Sequence, residues 1–156
     1  MFDRLIHIIL RSEGGYSNHP LDIGQETNFG IAKKYYPDLD IRNLTKEQAI
    51  EIYRRDYWQP MTLEGIKNPE LVLQIFDMGV NAGIRTAIKI IQRIVVTDED
   101  GDCGPITTGL INRSSADLVD LYKSERKKYY CSLVRKNPSQ AVFLDGWFNR
   151  VEKTKL

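Results

Sequence analysis

Between Asn68 and Gly83 the chain reads NPELVLQIFDMGVNAG, with Leu71, Val72, Ile75, Phe76 and Val80 spread around most of a helical circumference. A helix that is apolar on most sides has little surface to give to water, so other elements must cover it. This segment is therefore expected to be a central buried helix, and the rest of the chain has to supply its cover. Its ends are marked: Asn68 and Pro69 have the chemistry of an N-cap and a first helical residue, and Gly83 that of a break.

The covering elements also read as helices. Phe2, Leu5, Ile6, Ile9 and Leu10 recur at the spacing of an amphipathic helix that Gly14 and Gly15 stop. Residues 14 to 29 are rich in Gly, Asn, Pro and Asp, which suits a loop or a small hairpin. A further helix is expected through Ile31 to Tyr36, ending at Pro37. Thr45 with Gln48 forms the pattern of a capping box, opening a helix through Ala49, Ile52, Tyr53 and Tyr57. Ile84, Ile88, Ile91 and Val95 mark another helix, which stops at the acidic stretch TDEDGDCGP. Ser115 is placed to cap a long helix through Leu118, Tyr122 and Leu133, and a last helix is expected from about 139 to 151. Strand-like alternation is scarce, so the fold class is mainly α, with a small loop or hairpin lobe after the first helix.

The 156 residues fit one domain, or a catalytic lobe with a small companion. The 22 basic residues nearly balance the 21 acidic ones, which gives no overall field to hold a nucleic acid. Cys103 and Cys131 form no CxxC pattern and read as two small buried thiols. Asp98, Asp100 and Asp102 begin like a calcium loop, but Cys103 stands where that loop needs glycine and Gly109 where it needs glutamate. No metal or cofactor is expected, and the loop reads as a solvated acidic turn. SERKK at 124 to 128 reads as the exposed face of a helix. No stretch approaches the roughly 20 apolar residues of a membrane span. The opening residues make a poor signal peptide, so synthesis in the cytoplasm is expected.

Glu13 is the residue that points to chemistry. At about 100° per residue it lies on the side of Phe2, Ile6 and Ile9, so its carboxyl should leave the helix end toward the apolar interior. A partly desolvated carboxyl holds its proton more tightly, which a general acid acting on a glycosidic oxygen requires. A frayed glutamate turned to water is the alternative. Asp22 lies in a polar loop, where a carboxylate stays ionised; its alternative reading is a turn residue capping Gly24. Glu26 reads as a nearby exposed carboxylate. Tyr16, Tyr53, Trp58 and Trp147 could stack on sugar rings or fill the core. Asn28 and Asn81 could bind sugar hydroxyls or serve a turn and a helix end.

The stretch EGGYSNHPLDIGQETNFGI, from Glu13 to Ile31, resembles the signature of glycoside hydrolase family 108, the N-acetylmuramidases of bacteria and phages. Gln25 departs from it, standing where the family usually repeats glycine. YRRDYW (53 to 58) and FDMGVNAG (76 to 83) look like later landmarks of that family. DEDGDCGPIT (98 to 107) and FLDGWFNRV (143 to 151) are similar to a helical peptidoglycan-binding segment.

The resemblance implies a lysozyme-like fold, with a hydrolase region over 1 to 95 and a peptidoglycan-binding region over 96 to 156. It implies Glu13 as acid with Asp22 and Thr27 facing it, and peptidoglycan glycan strands as substrate. Tyr16, Asn28, Tyr53, Trp58 and Asn81 are the expected sugar contacts. Action on the cell wall would follow release through a membrane lesion such as a holin makes. The rival reading is a non-catalytic wall-binding or secretion-helper protein on the same scaffold, which would have no use for a desolvated acid.

Overall fold

The computed structural model describes residues 1–18 and 26–156, which divide into two compact units, Phe2–Asp56 and Tyr57–Leu156, the second also holding Met1. The first unit begins with α1, Phe2–Glu13, whose buried residues are Phe2, Leu5, Ile6, Ile9 and Leu10, the positions that its periodicity selects. Gly14 follows at φ 81°, a left-handed conformation that glycine adopts without steric cost. A small antiparallel sheet comes next, β1 (Ser17–Asn18), β2 (Glu26–Asn28) and β3 (Ile31–Ala32), in that spatial order.

The helix expected over Ile31 to Tyr36 is not formed. Phe29 and Gly30 take φ 51° and 77°, the two left-handed residues of a type I′ turn. That turn sends the chain back along β2, pairing Asn28 with Ile31 and Thr27 with Ala32. The Lys33 amide extends the pairing to the Glu26 carbonyl at 2.8 Å. The backbone donors a helix would need are thus taken by a ladder.

The capping box forms as its residues dictate. The Gln48 amide donates to Thr45 Oγ1 at 3.2 Å and the Thr45 amide to Gln48 Oε1 at 2.9 Å, opening α2, Lys46–Tyr53. α2 passes into a π-helical turn over Arg54–Trp58. Arg54 anchors the start of α1: its guanidinium sits 4.1 Å from the Phe2 ring centroid and 2.7 Å from Asp3.

The second unit is helical. A short α3 (Gln59–Met61) leads to α4, Pro69–Ala82, capped by the Asn68 side chain, which accepts from the amides of Glu70 and Leu71. Every residue from Leu71 to Gly79 is buried, as the apolar circumference demands. Each large apolar side chain so buried contributes about 1.5–3 kcal/mol. α5 (Ile84–Ile94), α7 (Leu118–Lys136) and α8 (Leu144–Lys153) pack with it into one helical cluster. α6 (Pro105–Arg113) was not foreseen, and its start is marked by Pro at the first helical position. The cap of α7 is Asp117, not Ser115, with its carboxylate accepting from Val119 and Asp120 at 3.2 Å.

Polar residues reach into this core. Arg126, within the stretch read as an exposed face, is fully buried and forms an ion pair with Asp77 at 2.5 Å. Its other amino group donates to Gln74 Oε1 at 2.5 Å, and Arg150 meets Asp77 at 2.8 Å. Gln74 in turn donates to the Thr154 carbonyl at 2.6 Å, which ties the end of the chain to α4. The acidic turn is also pinned rather than merely solvated. Gln92 donates to Asp100 at 2.6 Å and accepts from the Gly101 amide at 2.9 Å. The Asp102 amide, chiefly, and the Gln92 side chain hold the Asp100 carboxyl below its usual range. Cys103 is buried and Cys131 only partly so, and both are free thiols.

Candidate active site

Glu13 is the last residue of α1, half-buried, and its position is fixed by the β2–β3 turn. A methyl group on Gly30 would lie 2.6 Å from Glu13 Oε2, 2.9 Å from Glu13 Cβ and 2.6 Å from the Tyr53 phenol oxygen. The carboxyl and the phenol therefore converge on the bare α-carbon of Gly30. Only glycine combines this approach with φ 77°. Tyr53 also donates to the Phe29 carbonyl at 2.9 Å, so the π-turn side of α2 holds the turn that holds the acid.

Gly30→Ala should consequently shift Glu13 rather than merely strain a loop. We expect hydrolytic activity to fall at least tenfold, with a stability loss on the order of 1–3 kcal/mol from the left-handed alanine. Near wild-type turnover in this variant would show that the carboxyl tolerates displacement.

The remaining sequence candidates separate by what they touch. Tyr53 is 2 % exposed, so its ring positions the turn rather than offering a face to a sugar. Trp58 is 4 % exposed and meets the Phe76 ring edge-on at 5.3 Å, which places it in the core. Asn28 is buried and donates to the Ile41 carbonyl at 3.1 Å, fastening the following loop to β2. Thr27 is the middle residue of β2, half-buried, paired with Ser17 and Ala32. Asp22 lies outside the described residues.

Tyr16 is the exposed ring of the set, with 41 % of its surface accessible. Its hydroxyl donates to Glu26 Oε1 at 2.9 Å, and the Arg42 guanidinium lies 5.8 Å from its ring centroid. The carboxylate beside it raises the Tyr16 phenol pKa, chiefly through that hydrogen bond. Glu26 is thus half-buried and partnered, not the exposed carboxylate expected. In the second unit, Asn81 is exposed at the end of α4 and its side-chain oxygen accepts from the Tyr130 hydroxyl at 2.6 Å. Tyr130 stacks on Trp147 with ring centroids 5.0 Å apart, which commits one face of that tryptophan to the fold.

The sequence reading passed over the positioning role of Gly30. Its signal was weak: Gly30 suits the second position of a two-residue hairpin turn, but Phe29 fills the first, where Asn, Asp or Gly is the usual residue.

Residues 6–83 match the family model Glycosyl hydrolase 108, and residues 86–152 match a Predicted Peptidoglycan domain. The boundary between the two falls at Gly83, between α4 and α5. The structure is similar to that of SagA from Brucella abortus, with a TM-score of 0.80 and 26% identity over 98% of this chain and 90% of that one. No curated protein sequence matches the chain. Among the described residues no helix is long and apolar enough to cross a membrane. With its family model spanning most of α1, the hairpin and the buried α4, and its helical fold lysozyme-like, the chain belongs to glycosyl hydrolase family 108 and is a glycoside hydrolase acting on peptidoglycan.

Proposed function

We propose that the chain is an N-acetylmuramidase, cleaving the glycan strand between N-acetylmuramic acid and N-acetylglucosamine with Glu13 as general acid. The observation that carries this reading is the seating of the Glu13 carboxyl against Gly30 and Tyr53 at the end of α1. Glycoside hydrolysis needs a carboxylic acid aimed at the leaving oxygen, and a carboxyl fixed by a helix end and a hairpin turn meets that need. Asp22 and Thr27 complete the proposal by orienting water or stabilising the cationic transition state. Tyr16, with its exposed ring and anchored hydroxyl, is the sugar platform that the geometry supports best.

Mass analysis of products from purified peptidoglycan tests the bond choice. New reducing ends should be muramic acid, and reducing glucosamine ends would make the enzyme a glucosaminidase. Inversion at the anomeric carbon, with a water acting between the carboxyls of Glu13 and Asp22, is the expected route. A retained β-anomer in the first products, followed by NMR, would assign the covalent route instead. Access to the wall through a holin-type lesion belongs to the same reading. Turbidity of cultures expressing the enzyme with and without a holin checks it, and lysis without one would remove that partner.

A further inference from the structure

A groove of about 400 Å³ runs between α5 and α7 in the second unit. Its walls hold five of the chain's 22 basic residues, Lys89, Arg93, Lys128, Arg135 and Lys136, but only one of the 21 acidic ones, Glu125. Arg93 is paired with Glu99 at 2.6 Å and Lys128 with Glu125 at 2.5 Å. Lys89, Arg135 and Lys136 form no ion pair with any described residue. Arg135 and Lys136 close the last turn of α7, where cations complement the helix dipole. That argument does not extend to Lys89 on α5 or to Lys128, two turns earlier on α7. Cations gathered on two facing helices repel one another, a cost that a near-neutral chain has no solubility reason to accept. Thr86, Tyr129 and Ser132 add hydroxyls and a half-buried aromatic ring to the same walls.

We propose that this groove binds the carboxylates of the peptide stems of peptidoglycan. The inference rests on peptidoglycan being the substrate. Charge complementarity selects the occupant: the glycan backbone is rich in neutral hydroxyl and acetamido groups, whereas the stems carry closely spaced carboxylates. Lysine and arginine ends on opposite walls can meet two such groups at once, with the guanidinium of Arg135 suited to a bidentate contact. The groove lies within residues 86–152, the peptidoglycan-domain match, and gives that region a defined contact.

The test is co-sedimentation of the full chain with purified sacculi stripped of other wall polymers, at rising salt, beside the same sacculi after their stem carboxylates have been capped as neutral amides with carbodiimide and ammonia. Wild type should bind intact sacculi, lose affinity steeply with salt, and bind the amide-capped sacculi on the order of tenfold more weakly. The triple variant Lys89→Ala, Arg135→Ala, Lys136→Ala should reduce binding to intact sacculi by a similar factor and flatten the salt dependence. Removing three charges elsewhere, with Arg4→Ala, Lys34→Ala and Lys153→Ala, should do neither. Circular dichroism on each variant separates lost binding from lost fold, and single substitutions replace the triple if it does not fold. Equal binding to amide-capped sacculi, or wild-type behaviour in the groove variant, overturns the proposal while leaving the hydrolase reading intact. A wild-type protein that neither binds nor cleaves sacculi overturns both. Competition by a phosphate polymer as strong as that by free stem peptides would reassign the groove to phosphate ligands and also reject the proposal.

Discussion

Glu13→Gln is expected to lower peptidoglycan hydrolysis by on the order of 10²–10⁴-fold, the usual contribution of a general acid. The amide keeps the shape of the carboxyl and can sit against Gly30 and Tyr53 as the acid does, but it delivers no proton to a leaving oxygen. The fold should survive, because the side chain is only half-buried at a helix end and the buried face of α1 is untouched. An unchanged melting curve beside a collapsed rate is therefore the signature sought. Glu47→Gln provides the control, since Glu47 is exposed in the first turn of α2. Glu26 would serve badly, because it holds the Tyr16 hydroxyl. A Glu13→Gln enzyme that clears peptidoglycan at the wild-type rate would assign the acid elsewhere and leave the seating of Glu13 without a chemical purpose.

Asp77→Asn should have the largest effect on stability. Asp77 is completely buried between two guanidinium groups, Arg126 at 2.5 Å and Arg150 at 2.8 Å, and it supplies the negative charge for both. Removing one partner of a buried pair typically costs about 3–5 kcal/mol, because the surviving charge stays desolvated without compensation. Arg126 is the sensitive partner, being fully buried, whereas Arg150 is partly exposed and can turn toward water. For a chain of this size the loss corresponds to a fall in Tm of roughly 6–20 °C. Replacing the pair together, Asp77→Leu with Arg126→Met, should recover much of the loss, since apolar residues of similar volume remove the desolvation cost. A Tm for Asp77→Asn within about 2 °C of wild type, a shift worth no more than about 1 kcal/mol, would mean that water reaches the network.

The features legible in the sequence were those whose causes lie within a few residues. The Thr45–Gln48 box, the Asn68–Pro69 start, the Gly14 and Gly83 stops and the all-round apolar pattern of α4 each specify a local conformation by nearest-neighbour hydrogen bonding or by periodicity. The placement of Glu13 at the end of α1 was legible for the same reason.

What the tertiary structure alone decided depends on partners far away in sequence. Ile31 and Ala32 join a sheet instead of a helix because β2, turned back on them at Phe29 and Gly30, takes their backbone bonds. Arg126 is buried because Asp77 and Gln74, some fifty positions earlier, offer it charge and a carbonyl, so a charged run that reads as solvated surface becomes a core tie. Tyr53 and Trp58, aromatic and near a family landmark, look like sugar platforms until the Phe29 carbonyl and the Phe76 ring claim them. Periodicity and caps settle where the helices lie because backbone bonds close within four residues. Which side chains stay accessible, and which are buried in holding a turn or the core, is settled only by the distant groups that desolvate them.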